Sequence, residues 1–484
     1  MKKYSLEIIV FCSGAVVMAL EVIGSRILAP YVGTSLPVWT SIIGILLASL
    51  SFGYWWGGKL ADRNPSPQLL STILLSTAGV LCLLALCNTT VLSLINGFHM
   101  PITLAALLSS IILLVIPSIL LGIISPYVVR IKLQEIKTAG AEVGRLSALG
   151  TMGSITGTFL SGFVLLRYLG SYKIMLCLAL VMVFLSLLAA KPNGYRRLLT
   201  ILITLAALSL ITAQTQISMV ADIDTAYSRA TIKDKGSIRT LYIGGVTNSA
   251  MDLSDPDKLV YDYSKVYGVG SHFQPHITSA LVLGGGGYSY PKALLKQFPK
   301  ATVDVVEIDP EITRLAKTYF AVPDDARLGI YDADGRTFLN TVTKKYDAIY
   351  GDAYGNYYSV PYQLTTREAI RHAYDSLNDD GVFVANIISS LEGDTSTFFR
   401  AEYKTIRSIF PQVYVFPVRS SDPTTIQNII VVGIKSTKPA SFTDKNPEIN
   451  GYLANRWLKP IADDVPILTD DFAPVDQYIS ALLK

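Results

Sequence analysis

The sequence predicts two architectures in one chain: an α-helical transmembrane bundle, then an α/β Rossmann-type domain that opens with a small β-rich subdomain. Three observations predict this. Apolar runs of about 20 residues, the length a bilayer requires, recur up to about residue 215 and then stop. Beyond residue 276, short apolar strands alternate with helical segments, as in a parallel doubly wound sheet. Composition agrees: of 484 residues, 50% are hydrophobic and only 16% charged, against about 25% charged in ordinary soluble domains. Mean hydropathy is +0.41. A net charge of +4 gives no footprint for a nucleic-acid partner. The four cysteines, Cys12, Cys82, Cys87 and Cys177, all fall in apolar runs and fit neither a zinc site nor a disulfide framework. No residue pattern calls for a metal.

The predicted spans are residues 5–29, 38–58, 69–92, 102–125, 147–169, 172–190 and 197–214, about seven in all. The first is too long for a cleaved signal peptide, and more spans follow it. Pro117 and Pro126 predict a kink in the fourth, because proline removes a helix hydrogen bond. Gly150, Gly153, Gly157 and Gly162 predict close packing of the fifth. Lysine and arginine collect in alternate loops: Lys2 and Lys3 before span one, Lys59 and Arg63 after span two, Arg130 to Arg145 after span four, Lys191 to Arg197 after span six. That bias puts the N-terminus on the cytoplasmic side. Glu21 and Arg26 lie within span one. Charge in hydrocarbon is costly, so the two mark either a structural ion pair or a polar site between helices.

In the β-rich stretch, residues 226–233 and 238–243 read as strands around a Lys235-Gly236 turn. The Rossmann-type part then begins with an apolar strand at 280–283, the run Gly284-Gly285-Gly286-Gly287, and a helix near 291–297. A second strand at 302–308 leads to Pro310, placed where a first helical turn accepts proline. Strands at 328–331, 346–350 and 382–388 alternate with helices around 337–343 and 366–377, and 413–417 with 427–434 close the sheet.

Open α/β sheets bind ligands at the carboxyl ends of their strands. Glycines there let the backbone approach a ligand closely and adopt positive φ. Glu307 ends the second strand, where a carboxylate can accept from both ribose hydroxyls. In Asp334-Gly335-Arg336, the acid can accept from an adenine amine and Gly335 leaves room for the ring. Asp352 ends the fourth strand, facing the reacting centre, where it can take a proton from an attacking amine. Asp347, at that strand's start, is structural.

These residues give the second half a resemblance to the spermidine/spermine synthase family of aminopropyltransferases. It is carried by LVLGGGGYSYPKALLK, VDVVEIDPEI, DADGRTFL and YDAIYGDAY, in that order. The first membrane segments and the tail LTDDFAPVDQY are similar to the membrane-fused group of that family. The resemblance implies a class I S-adenosylmethionine-type fold. The glycine run (Gly284, Gly285, Gly286, Gly287), Glu307, Asp334 and Gly335 would hold the nucleoside, and Asp352 would act as base. The implied donor is decarboxylated S-adenosylmethionine, or S-adenosylmethionine itself. The implied partners are a small-molecule amine or amphipathic acceptor, the lipid bilayer, and a second copy of the soluble domain. Two departures stand out. Gly287 occupies the place where the family usually carries an acid, and Ala353, Tyr354, Gly355 and Asn356 occupy the run after the catalytic acid where a second acid is usual. Tyr261, Tyr263, Tyr354 and Tyr358 offer an aromatic lining instead.

The expected function is membrane-bound aminopropyl transfer to an amine. The alternatives are an S-adenosylmethionine-dependent methyltransferase, or a transporter or sensor with a nucleotide- or polyamine-binding domain. The expected parts are residues 1–215, 216–275 and 276–484. Seven spans with the N-terminus inside place the second half outside the cell, whereas S-adenosyl nucleotides are cytosolic; an even number of crossings reconciles the two, and the cytoplasmic side is expected from the chemistry.

Overall fold

The computed structural model describes residues 4–98, 100–133, 139–191, 193–212, 219–353, 360–419 and 422–483. The chain divides into two compact units, residues 1–217 with 223–229, and residues 218–222 with 230–484.

The first unit is helical: α1 (Ser5–Val32), α2 (Leu36–Arg63), α3 (Pro67–Gly97), α4 (Ile102–Lys132), α5 (Ala139–Leu160), α6 (Leu166–Ala189) and α7 (Tyr195–Thr212). A π-turn at Ser161–Leu165 joins α5 to α6, and Gly170, at φ +70°, interrupts α6 near its start. Among the described residues, six helices are long and apolar enough to cross a membrane; α7, at 18 residues, is not one of them. The helix α4 continues through both Pro117 and Pro126. Glycine sets how near the helices approach. A Cβ at Gly153 would stand 1.9 Å from the Phe11 carbonyl oxygen, and one at Gly53 would stand 2.5 Å from that of Ile119. Small residues at such crossings let helix backbones pack closely. Gly162, also expected to pack, has nothing within 4 Å of its Cβ position. The buried Glu7 carboxylate ties three helices together, 2.9 Å from Lys132 and 3.8 Å from Arg145.

The second unit begins with a four-stranded sheet, β1 (Met219–Asp224), β2 (Arg229–Lys235), β3 (Ile238–Ile243) and β4 (Val246–Asp252), in that order. The expected turn is there, with Gly236 at φ +61°. The short helices α8 (Asp262–Val266) and α9 (Gly268–Phe273) follow. The main fold is β5 (Ser279–Leu283), α10 (Ser289–Gln297), β6 (Thr302–Glu307), α11 (Pro310–Tyr319), β7 (Leu328–Asp332), α12 (Gly335–Thr341), β8 (Tyr346–Gly351), α13 (Arg367–Asp375), β9 (Leu377–Ser389), α14 (Thr397–Arg407), β10 (Gln412–Pro417) and β11 (Gln427–Ile434). Helices α15 (Pro447–Ala454) and α16 (Val475–Ile479) complete it.

The seven strands run β10-β11-β9-β8-β5-β6-β7, with β11 antiparallel to both neighbours and the rest parallel. This is the expected Rossmann-type sheet. Its strands are apolar on both faces, as a covered parallel sheet requires. Leu281 and Leu283 of β5 join the core under α13 and α14, while Ala280 and Val282 join the one under α10. Chain order reverses between β5 and β8, so the crevice outside their carboxyl ends is the topological switch point.

Candidate active site

At the end of β5 the backbone turns through Gly284 at φ +98° and Gly286 at φ +49°. A Cβ at Gly284 would lie 2.8 Å from the Asp352 carbonyl oxygen, so this turn and the end of β8 press together only because glycine is there. Tyr288 also takes a left-handed conformation, φ 56°, and its buried hydroxyl lies 2.9 Å from that of Thr313. Such a backbone costs a non-glycine residue about 1–2 kcal/mol, which a fully buried aromatic ring offsets.

Glu307, at the end of β6, folds its carboxylate under the turn. One oxygen accepts from the N–H of Gly285 at 2.9 Å and of Gly286 at 3.1 Å; the other accepts from the N–H of Asp309 at 3.1 Å. Burial pushes this carboxyl up, against the three backbone donors. A carboxylate has about four acceptor positions, so most of Glu307 is spent on the loop itself. Asp334 caps α12 by accepting from the Thr337 N–H at 2.9 Å, and Gly335 is the first residue of that helix. Arg336 reaches the tail motif instead, paired with Asp470 at 2.7 Å. Asp347 accepts from the Thr278 and Ser279 N–H groups and from Asn378, clamping strand starts away from the crevice.

Asp352 stands just beyond β8. Its Oδ1 accepts from the Tyr267 hydroxyl at 2.7 Å and from the Asn386 amide at 3.4 Å, and Tyr263 also donates to the carboxylate. Asn386 is held in turn by Asn428 at 2.9 Å. Burial pushes Asp352 up to about 6, against these three donors. The same burial drives the Tyr263 and Tyr267 hydroxyls far up, so both remain donors. An acid poised near neutrality between locked donors suits proton transfer.

An open pocket of about 370 Å³ lies between Asp352, the glycine turn and β4, with Tyr261, Tyr263, Ser249 and Ser289 in its walls. The Tyr261 and Tyr263 rings stack with centroids 6.0 Å apart. Five expected residues thus converge here: Gly284, Gly285, Asp352, Tyr261 and Tyr263. Tyr354 and Tyr358 lie outside the described residues. Glu21 and Arg26 do not pair with each other, and Arg26 donates to the Ala226 carbonyl. Among the described residues no three His, Cys, Asp or Glu side chains are grouped to hold a metal.

The spermine/spermidine synthase domain matches residues 261–445, from the tyrosine pair through the closing strands. A polyamine aminopropyltransferase of Vibrio vulnificus is 30% identical over 244 residues, covering 46% of this chain and 78% of that protein. The chain belongs to the spermidine/spermine synthase family. It is therefore a transferase of the aminopropyltransferase class. A probable polyamine aminopropyl transferase of Bifidobacterium longum is 38% identical over 224 residues, covering 41% of this chain and 48% of that one. A probable spermidine synthase structure from Corynebacterium glutamicum aligns at 23% identity with a TM-score of 0.42, covering 48% of this chain and 85% of that one.

In this aminopropyltransferase Tyr263 was singled out from the sequence, but the other residues around the central acid were not. Asn386 left a signal, as a lone buried amide in the apolar strand VFVANIIS. Tyr267, Asn428 and Ser249 left none, because only the fold brings them to the crevice.

Proposed function

We propose that this chain is a membrane-bound aminopropyltransferase that moves the aminopropyl group of decarboxylated S-adenosylmethionine onto a small-molecule amine. Asp352 carries the reading: a carboxylate at the switch point, raised to about 6, lining a pocket beside the glycine turn. The acceptor nitrogen forms a bond to the propyl carbon next to the sulfonium. The carbon–sulfur bond breaks, its electron pair stays on sulfur, and methylthioadenosine leaves. The proton released by the nitrogen passes to Asp352. A sulfonium is already a good leaving group, so the chain supplies placement and a base. Gly284 to Gly287, Asp334, Gly335 and the remaining acceptor position of Glu307 would hold the nucleoside. Tyr261, Tyr263, Tyr354 and Tyr358 would line the acceptor's side.

The three-part division at about residues 215 and 275 belongs to this proposal, as does placement in the cell membrane. Six crossings starting from a cytoplasmic N-terminus return the chain to the cytoplasm, with α7 lying along the membrane surface. That supports a cytoplasmic catalytic part, where its donor is made.

The test uses the full-length protein in detergent with decarboxylated S-adenosylmethionine and a panel of amines, reading methylthioadenosine release and product mass. Asp352→Asn should lower turnover by about 10²-fold or more while methylthioadenosine still binds. Full activity in that variant removes Asp352 as base, and a methylated product from S-adenosylmethionine overturns aminopropyl transfer.

A further inference from the structure

We propose that Asp470 is a positioning residue for the nucleoside, acting through Arg336. This rests on the reading in which Asp334 and Gly335 hold that part of the donor. Arg336 follows Gly335 directly in α12, and its side chain is only 14% exposed. Its guanidinium joins three segments. Within α12 it donates to the Asn340 side chain at 3.0 Å. On the turn that leads into α13 it donates to the Gln363 carbonyl at 3.2 Å and to the Thr366 hydroxyl at 3.0 Å. Its two terminal nitrogens then meet the two carboxylate oxygens of Asp470, at 3.1 and 2.7 Å. A planar fork met in this way is fixed in direction as well as paired in charge.

Asp470 is itself held in place. Its Oδ1 accepts from the Thr366 hydroxyl at 2.6 Å, and its N–H donates to Glu368 at 3.0 Å. Two residues earlier, the Leu468 carbonyl accepts from the Arg367 N–H at 2.8 Å. The segment LTDDF therefore reaches from the start of α13 to the start of α12. What it fixes is the gap between them. An open apolar pocket of about 270 Å³ lies there, walled by Leu339 of α12, by Leu364 and Ile370 opposite, and by Leu283 and Phe383 of the sheet. Gly335 borders that gap: a Cβ on it would stand 3.4 Å from the Leu364 side chain and 3.9 Å from that of Leu283. Losing the carboxylate frees the start of α12, and with it Asp334 and Gly335, to move against the turn. The donors that hold Asp352 sit elsewhere, Tyr267 between α8 and α9 and Asn386 on β9. Binding of the donor should therefore respond, and the chemical step should not.

The test titrates methylthioadenosine into the full-length protein in detergent, a readout that needs no turnover, and sets beside it the KM and kcat for decarboxylated S-adenosylmethionine. Asp470→Asn should weaken methylthioadenosine about tenfold and raise the donor's KM alike, with kcat within about twofold of the unaltered protein. Asp464→Asn is the control. That carboxylate lies on the same stretch of chain and meets the fork of Arg400, on α14, at 2.9 and 3.1 Å. The two pairs are similarly exposed, 13% and 59% for Arg400 and Asp464 against 14% and 50% for Arg336 and Asp470. Asp464→Asn should lower the melting temperature about as much as Asp470→Asn while leaving methylthioadenosine affinity unchanged. Should Asp470→Asn fail to fold, Arg336→Lys keeps the charge, loses the fork and should show the same split between KM and kcat. Unchanged affinity in the folded variant, an equal loss in Asp464→Asn, or a loss confined to kcat overturns the proposal and leaves the nucleoside reading intact. No binding of methylthioadenosine by the unaltered protein overturns that reading and this proposal with it.

Discussion

A carboxyl that titrates near pH 6 fixes how this enzyme should respond to acid. Asp352 must be ionised to accept a proton, so kcat/KM should be level above about pH 6 and fall about tenfold per unit below it. The Tyr267 hydroxyl stabilises the ionised form. Tyr267→Phe removes that donor, so the carboxyl rises further and the acidic limb of the pH–rate profile should move to higher pH. An unmoved limb would show that Tyr267 only packs. Asp352, Glu307 and Asp334 were legible in the sequence because each ends a strand whose apolar run locates the crevice. Most of the network around Asp352 was not legible, since Tyr267 sits between two short helices and Asn428 on a strand that returns antiparallel from far along the chain.

At the level of elements, periodicity located the long helices and buried strands, because length and apolar pattern are local properties. It missed β4, whose sequence VTNSAMD alternates poorly, although that strand supplies Ser249 to the pocket. It also missed α8 and α9, at 5 and 6 residues too short to show a period. The glycines of the fifth predicted span looked equivalent in sequence, yet Gly153 packs within α5 while Gly162 falls in the π-turn after it. Gly153→Ala should destabilise the bundle by about 1–3 kcal/mol, seen as a lower melting temperature in detergent, while Gly162→Ala should leave it unchanged.

On the scale of the whole chain, charge bias and donor chemistry disagree under seven crossings and agree under six. The second half contains no cysteine, which makes the point testable with little background. With Lys300→Cys, an exposed site, an impermeant maleimide should label intact cells no more than the unaltered protein and should label strongly once the membrane is opened. Labelling of intact cells would put the catalytic half outside.

The carboxylate of Glu307 beneath the glycine turn also decides what the crevice refuses. A glycine turn at a helix start ordinarily offers its N–H groups to a diphosphate. Here Gly285 and Gly286 have already given theirs to an internal anion. A phosphate entering that corner meets like charge and no vacant donor. Fold-mates that grip dinucleotides and ATP use the feature this chain has plugged. On the proposed reading, that corner disfavours the phosphates of the cell's most abundant adenine compounds and leaves room for adenosine carried on an uncharged or positive sulfur.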